Sequence, residues 1–173
     1  MRGKRLQIAG AVAVVAVASV VATTAVAGGD KHLSTQLAGF EEVPAVSTDA
    51  SGKFRAKLRT SSQEIRYELR YADLTGAVQQ AHIHVGQRDV NGGISVFLCS
   101  NLGNGPAGTQ ACPPAPATIT GTITAADVIG PTDQGIDAMQ FDELVRAIRA
   151  GVTYANVHSE TFRGGEIRGQ LND

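Results

Sequence analysis

The sequence of 173 residues has no tryptophan, and only 5% of it is aromatic. A platform of rings for stacking nucleic-acid bases therefore lacks its material. No dense block of lysine and arginine occurs past residue 5, and the formal net charge is -1. Both features argue against a nucleic-acid partner, which needs a basic face to displace counterions. Several catalytic signatures are also missing: no Gly-x-Ser-x-Gly elbow, no phosphate-loop pattern and no His-Glu-x-x-His occurs. Gly92-Gly93 follows Val90-Asn91 and reads as a turn, not a phosphate cradle. With no such signature, a non-enzymatic module is the first expectation. There is no internal repeat, and the length suits one domain.

What is present begins with an export segment. Arg2, Lys4 and Arg5 open the chain, an apolar stretch runs from Leu6 to about Ala22, and Ala25-Val26-Ala27 follows. A positive start, a hydrophobic middle and an Ala-x-Ala end make residues 1–27 a secretory signal peptide cut after Ala27. The alternative is a retained membrane anchor, for which the apolar stretch is at the short end. Cleavage leaves no stable membrane span and places the protein outside the cell or at its envelope. No acidic residue lies in 1–27, so the remainder carries 16 acids and a net charge of about −4. Residues 28–32, including His32, are expected to be a flexible mature N-terminus.

The two cysteines, Cys99 and Cys112, flank a segment rich in Gly, Asn and Pro. In an exported protein an even pair reads as a disulfide. Two thiolates on one metal are the alternative, but the spacing is long and no histidine lies between them.

Period-two alternation dominates the rest. Phe54, Ala56 and Leu58 alternate with Lys53, Arg55, Lys57 and Arg59, and Ile65, Tyr67, Leu69 and Tyr71 alternate with Glu64, Arg66, Glu68 and Arg70. Such patterning predicts half-buried antiparallel strands. Further strands are predicted at 33–37, 78–85, 94–98, 117–123, 152–158 and 166–171. Phe141, Leu144, Val145 and Ile148 follow helical spacing and predict one short helix near 141–150. The fold class is mostly β, a Greek-key antiparallel β-sandwich of immunoglobulin-like or superoxide dismutase-like type.

Alternation also sorts the polar residues. His82 and His84 share one face of their strand, Asn156 and His158 one face of theirs, and Glu166, Arg168 and Gln170 one face of the last. If these strands are neighbours, His82, His84, His158, Glu166 and Arg168 form one patch. Two histidines at i, i+2 and a third from an adjacent strand can hold one ion, and neutral imidazoles suit copper, with zinc behind it. Three protein ligands leave a position open. The plain alternative is a hydrogen-bonded network in which Asn156, Glu166 and backbone carbonyls satisfy the imidazoles. Glu166 and Arg168 read either as a surface ion pair or, for Arg168, as a group that draws an anion toward the histidines. Glu41 and Glu42 are adjacent, point to opposite faces and do not form an acid/base pair.

Four segments carry a family resemblance: Leu37-Ala38-Gly39-Phe40-Glu41-Glu42-Val43-Pro44, Ala81-His82-Ile83-His84-Val85-Gly86, Gly92-Gly93-Ile94-Ser95-Val96-Phe97-Leu98, and the C-terminal block of residues 151–158 with 164–171. Together they make the chain resemble the chordin-repeat (CHRD) domain, in a bacterial secreted form, over about residues 33–171. Ala45 departs from the pattern where a second proline is expected. The resemblance implies an immunoglobulin-like secreted module occupying residues 33–173, with no catalytic residues to transfer. A looser similarity is to copper/zinc superoxide dismutases, which are also Greek-key sandwiches with a disulfide. They too have a strand His-x-His, a later Val-His and a C-terminal Arg beside copper, an order that His82, His84, His158 and Arg168 reproduce. The bridging histidine and the zinc ligands have no counterpart here, so this likeness implies a copper-only site with three histidines. Two functions follow as expectations. One is a module that binds a protein, a glycan or a metal ion; the other is a copper metalloprotein, in its catalytic form a redox enzyme such as a dismutase.

Overall fold

A computed structural model describes residues 29–171; the expected signal peptide lies outside the described residues. The strands are β1 (Lys31–Ala38), β2 (Ser51–Arg59), β3 (Glu64–Ala72), β4 (Val78–Val85), β5 (Gly93–Ser100), β6 (Ala117–Ile123), β7 (Thr153–Ser159) and β8 (Ile167–Gln170), with one helix, α1 (Phe141–Arg149), before β7. They form one eight-stranded sheet in the order β5-β4-β7-β8-β1-β2-β3-β6, and every neighbouring pair is antiparallel. The sheet curls until it is nearly a barrel. β1 begins at Lys31, so His32 pairs with Lys57 in a strand instead of lying on the loose end expected for residues 28–32.

The alternating pattern dictates the curl. Phe54, Leu58, Leu69, Ile83, Leu98, Val157 and Ile167 are all at most 1% exposed and meet inside, while the intervening charged residues stay out. β2 and β3 pair without a shift from Ser51↔Ala72 to Arg59↔Glu64, because a one-residue slip would turn the slipped strand's apolar set to solvent. Helix α1 brings Leu144, Val145 and Ile148 onto this core. Its acids lie in the first turn and its arginines in the last, as the helix dipole favours.

The two edge strands, β5 and β6, face each other without a ladder. Gln110 spans them: its Nε2 donates to the Leu98 carbonyl of β5 at 3.1 Å and to the Thr120 carbonyl of β6 at 3.2 Å. Tyr67 from β3 donates to the same Leu98 carbonyl at 3.0 Å. The loop that carries Gln110 is closed by the Cys99–Cys112 disulfide. Replacing both cysteines by serine is expected to lower unfolding free energy by about 3 kcal/mol, the loop-closure entropy of a ring this size. Urea unfolding checks this; an unchanged midpoint would mean that the hydrogen bonds alone hold the loop.

Candidate metal centre

β4, β7 and β8 are neighbours, and their register aligns the polar residues in rows. His82 faces Asn156, which faces Arg168; His84 faces Tyr154, which faces Gln170; His158 faces Gln80. Ala81, Ile83, Ala155, Val157 and Ile167 take the other face and enter the core. The histidines therefore stand on the outer face of the sheet. They are nevertheless buried, His82 at 0%, His84 at 8% and His158 at 6% exposure. The connections before β2, before β5 and before β8 supply contacts there, through Glu42, Gly92 and Arg163.

One ligand nitrogen from each of His82, His84 and His158 lies within 4.8 Å of the other two. The hydrogen bonds say which nitrogens these are. His84 Nδ1 donates to the Gly92 carbonyl at 3.0 Å, and His158 Nδ1 donates to the Arg163 carbonyl at 2.9 Å. Each bond fixes a tautomer with a bare Nε2. His158 Nε2 is 3.1 Å from His82 Nδ1. His84 Nε2 is buried and has no hydrogen-bond partner. The converging set is thus His84 Nε2 and His158 Nε2 with His82 Nδ1, the His82 nitrogen 3.1 Å from His158; His82 Nε2 is likewise buried without a partner. Three nitrogens each about 2 Å from an ion lie about 3.3 Å apart. One pair already has about that spacing, and the third nitrogen lies within 4.8 Å of both.

Burial keeps these rings neutral. It pushes His82 down to about 2, assisted by the neighbouring His158 and His84. It pushes His84 down to about 4 against the bond to Gly92, and lowers His158 as well. Neutral rings carry the lone pairs that coordination requires.

Arg168 is not the surface group of the ion-pair reading but a buried residue that supports the site. It is 2% exposed and makes no surface ion pair with Glu166. Its Nη2 donates to the Gln87 and Val90 carbonyls at 3.0 and 2.9 Å. Its guanidinium lies 3.4 Å over the Tyr154 ring, and Tyr154 stacks on His84 with centroids 4.8 Å apart. With its donors on loop carbonyls, Arg168 holds the connection between β4 and β5. Tyr154 assists, since its hydroxyl accepts from Gly92 N at 3.1 Å. The same glycine presents its carbonyl to His84. A Cβ on Gly92 would collide with the Val85 carbonyl, so this approach requires glycine.

Glu166 forms its hydrogen bonds with residues other than the histidines. Thr48 Oγ1 and Thr75 N each donate to its Oε1 at 2.8 Å. Burial would raise its carboxyl, but the hydrogen bonds from Ser159, Thr75 and Thr48 outweigh it and hold the group low. The carboxylate that belongs to the site is Glu42, which sequence reading set aside. Asn156 Nδ2 donates to Glu42 Oε1 at 2.5 Å. Burial raises this carboxyl to about 7, against Arg168, Asn156 and the Val43 N–H. Tyr154 was missed too, although its place two residues before Asn156 puts it on the histidine face. Phe97, opposite His82 on β5, closes the cluster edge-to-face at 4.4 Å.

The signs of these shifts set the stability of the metal-free protein against pH. The histidines titrate near 6.5 when unfolded and well below it when folded, so the unfolded state binds more protons and stability rises from about pH 4 to 6.5. Glu42 acts oppositely: its folded value of about 7 exceeds its ordinary 4.5, so it removes stability across that interval as pH rises. Glu42→Gln is therefore expected to steepen the rise, measured by urea unfolding at pH 4.5, 5.5 and 6.5. Curves parallel to wild type would show that Glu42 is already ionised in the fold.

Comparison with known proteins adds the family. The family model described as the CHRD domain matches residues 33–171. No curated protein and no solved structure matches the chain. The matched span contains all eight strand cores, the three histidines and the disulfide, and by it the chain belongs to the CHRD-domain family.

Proposed function

We propose that this CHRD module is an exported metal-binding protein that holds one copper ion on His82 Nδ1, His84 Nε2 and His158 Nε2. The observation that carries this reading is the buried, unpartnered Nε2 of His84, aimed where two other imidazole nitrogens converge. A buried polar atom left without a partner costs about 1–3 kcal/mol, and a bound ion removes that cost. The donor set favours copper. It is all imidazole, the cysteines are tied in a disulfide, and copper heads the affinity order for such ligands, ahead of zinc.

The strand order supports the Greek-key part of the reading. Bringing β6 against β5 gives the spatial sequence β7-β4-β5-β6, in which the fourth strand returns beside the first. Export rests on the N-terminal sequence pattern, and no described helix is long and apolar enough to cross a membrane. The same architecture serves a second reading, a binding module for a protein or glycan in which the histidines are only a polar network. A dismutase-like redox activity has less behind it, because Nη2 of the arginine that would draw in an anion donates to two loop carbonyls.

Purified protein lacking residues 1–27, loaded with copper and desalted, is expected to retain one copper per chain by elemental analysis. His84→Ala is expected to retain less than about a tenth of that. Arg168→Lys, which cannot reproduce the forked contacts, is expected to weaken affinity about 10–100-fold, as loss of a supporting interaction does. Copper content unaffected by His84→Ala would return the histidines to the network reading.

A further inference from the structure

Charge is distributed unevenly over the molecule. Twelve lysines and arginines fall within residues 29–171, and six of them are on β2 and β3: Lys53, Arg55, Lys57, Arg59, Arg66 and Arg70. These two strands contain two acids, Glu64 and Glu68, whereas the other described residues hold thirteen acids against six bases. Alternation with Phe54, Ala56 and Leu58 puts all four bases of β2 on the outer face. At about 3.3 Å per residue they form a row about 20 Å long. No basic block is evident in the sequence because the strand period interleaves the cations with core residues.

The register sharpens the pattern. Arg55 faces Glu68 and Arg59 faces Glu64, but Lys53 faces Arg70 and Lys57 faces Arg66. Like charges placed directly opposite destabilise a sheet. Each such pair lines its own shallow depression, one of about 460 Å³ with Lys53 and Arg70 and one of about 430 Å³ with Lys57, Arg66 and Arg55. The pairs are four residues apart on β2, or about 13 Å. Internal acids neutralise only part of the row: Arg59 lies 3.8 Å from Glu64. Arg66 and Arg70 reach Glu64 and Glu68 on their own strand, and Lys57 lies 3.7 Å from Asp30. Among the described residues Lys53 and Arg55 have no ion-pair partner.

We propose that the outer face of β2 and β3 is a docking surface for a linear acidic polysaccharide, whose repeated sulfate or carboxylate groups seat on the two cation pairs. An extended chain spans both depressions, which a single small anion does not. The face carries no ring for stacking bases, since Phe54, Tyr67 and Tyr71 are turned into the core. None of the exposed large apolar residues, Phe40, Val90, Leu102, Ile129 and Met139, lies on β2 or β3, so nothing there inserts into a lipid surface. Lysine and arginine supply the charge-assisted hydrogen bonds that sulfate and carboxylate accept.

The test uses the full chain lacking residues 1–27, with dextran sulfate as probe and uncharged dextran as control. The expected result is binding to dextran sulfate alone, weakened at least tenfold between 50 and 300 mM NaCl because exposed charges are screened. Arg55→Glu is expected to weaken it about tenfold. Arg146→Glu, the same charge change on α1, is expected to alter it less than twofold. Both side chains are solvent-exposed, and unchanged thermal midpoints verify that the variants fold. Equal losses for the two variants, equal affinity for dextran and dextran sulfate, or binding to anionic phospholipid vesicles without binding to the polymer would each overturn the proposal.

Discussion

The pairing of β4 with β7 is the constraint on which the rest depends. Ala81, Ile83, Ala155 and Val157 must all enter the core, and the two-residue period then leaves His82, His84 and His158 no place but the opposite face. A shift of one residue in either strand would bury imidazoles among Phe54 and Leu98 and turn two of these four apolar side chains out of the core. Core burial thus aligns the histidines before any ion is involved. What it does not fix is their tautomers. Those depend on two backbone carbonyls, Gly92 and Arg163, from connections on either side of the cluster.

The surrounding groups act mainly on those connections. Arg168, Tyr154 and His84 form a stack of guanidinium, phenol and imidazole, and Arg168 and Tyr154 both grip the segment that presents Gly92. Rotation of His84 therefore requires Tyr154 and the loop to move with it. Glu42 enters the same neighbourhood through Asn156, linking the turn after β1 to the site. The result is a donor set held in place by packed, hydrogen-bonded neighbours, the condition under which ligand geometry is most precise.

Much of this architecture was legible in the sequence. Alternation located the strands, with β4 at Val78–Val85 and β6 at Ala117–Ile123 as expected, and helical spacing located α1. It also assigned the three histidines to polar faces, and antiparallel neighbours made those faces one. The failures share a cause. Glu42 and Gly92 reach the site from loops, where residue spacing carries no directional information. The burial of Arg168 has no sequence signal, because strand periodicity reports which face a residue takes, not what covers that face. Glu166 bonds to Thr48 and Thr75, partners from loops that strand alternation does not announce. The cationic face of β2 and β3 was hidden by the same interleaving that made those strands recognisable.

The central claim is a single three-imidazole centre with a defined nitrogen from each ring. Nitrogen-15 NMR of the histidine rings, in the metal-free protein and after loading with diamagnetic copper(I), tests it directly. His84 and His158 are expected to remain protonated at Nδ1 throughout. His82 is expected to donate from Nδ1 to His158 when metal-free and to carry its proton on Nε2 after copper(I) is added. Mixed tautomers in the metal-free protein, together with no ring-nitrogen shifts on addition of copper(I), would contradict it.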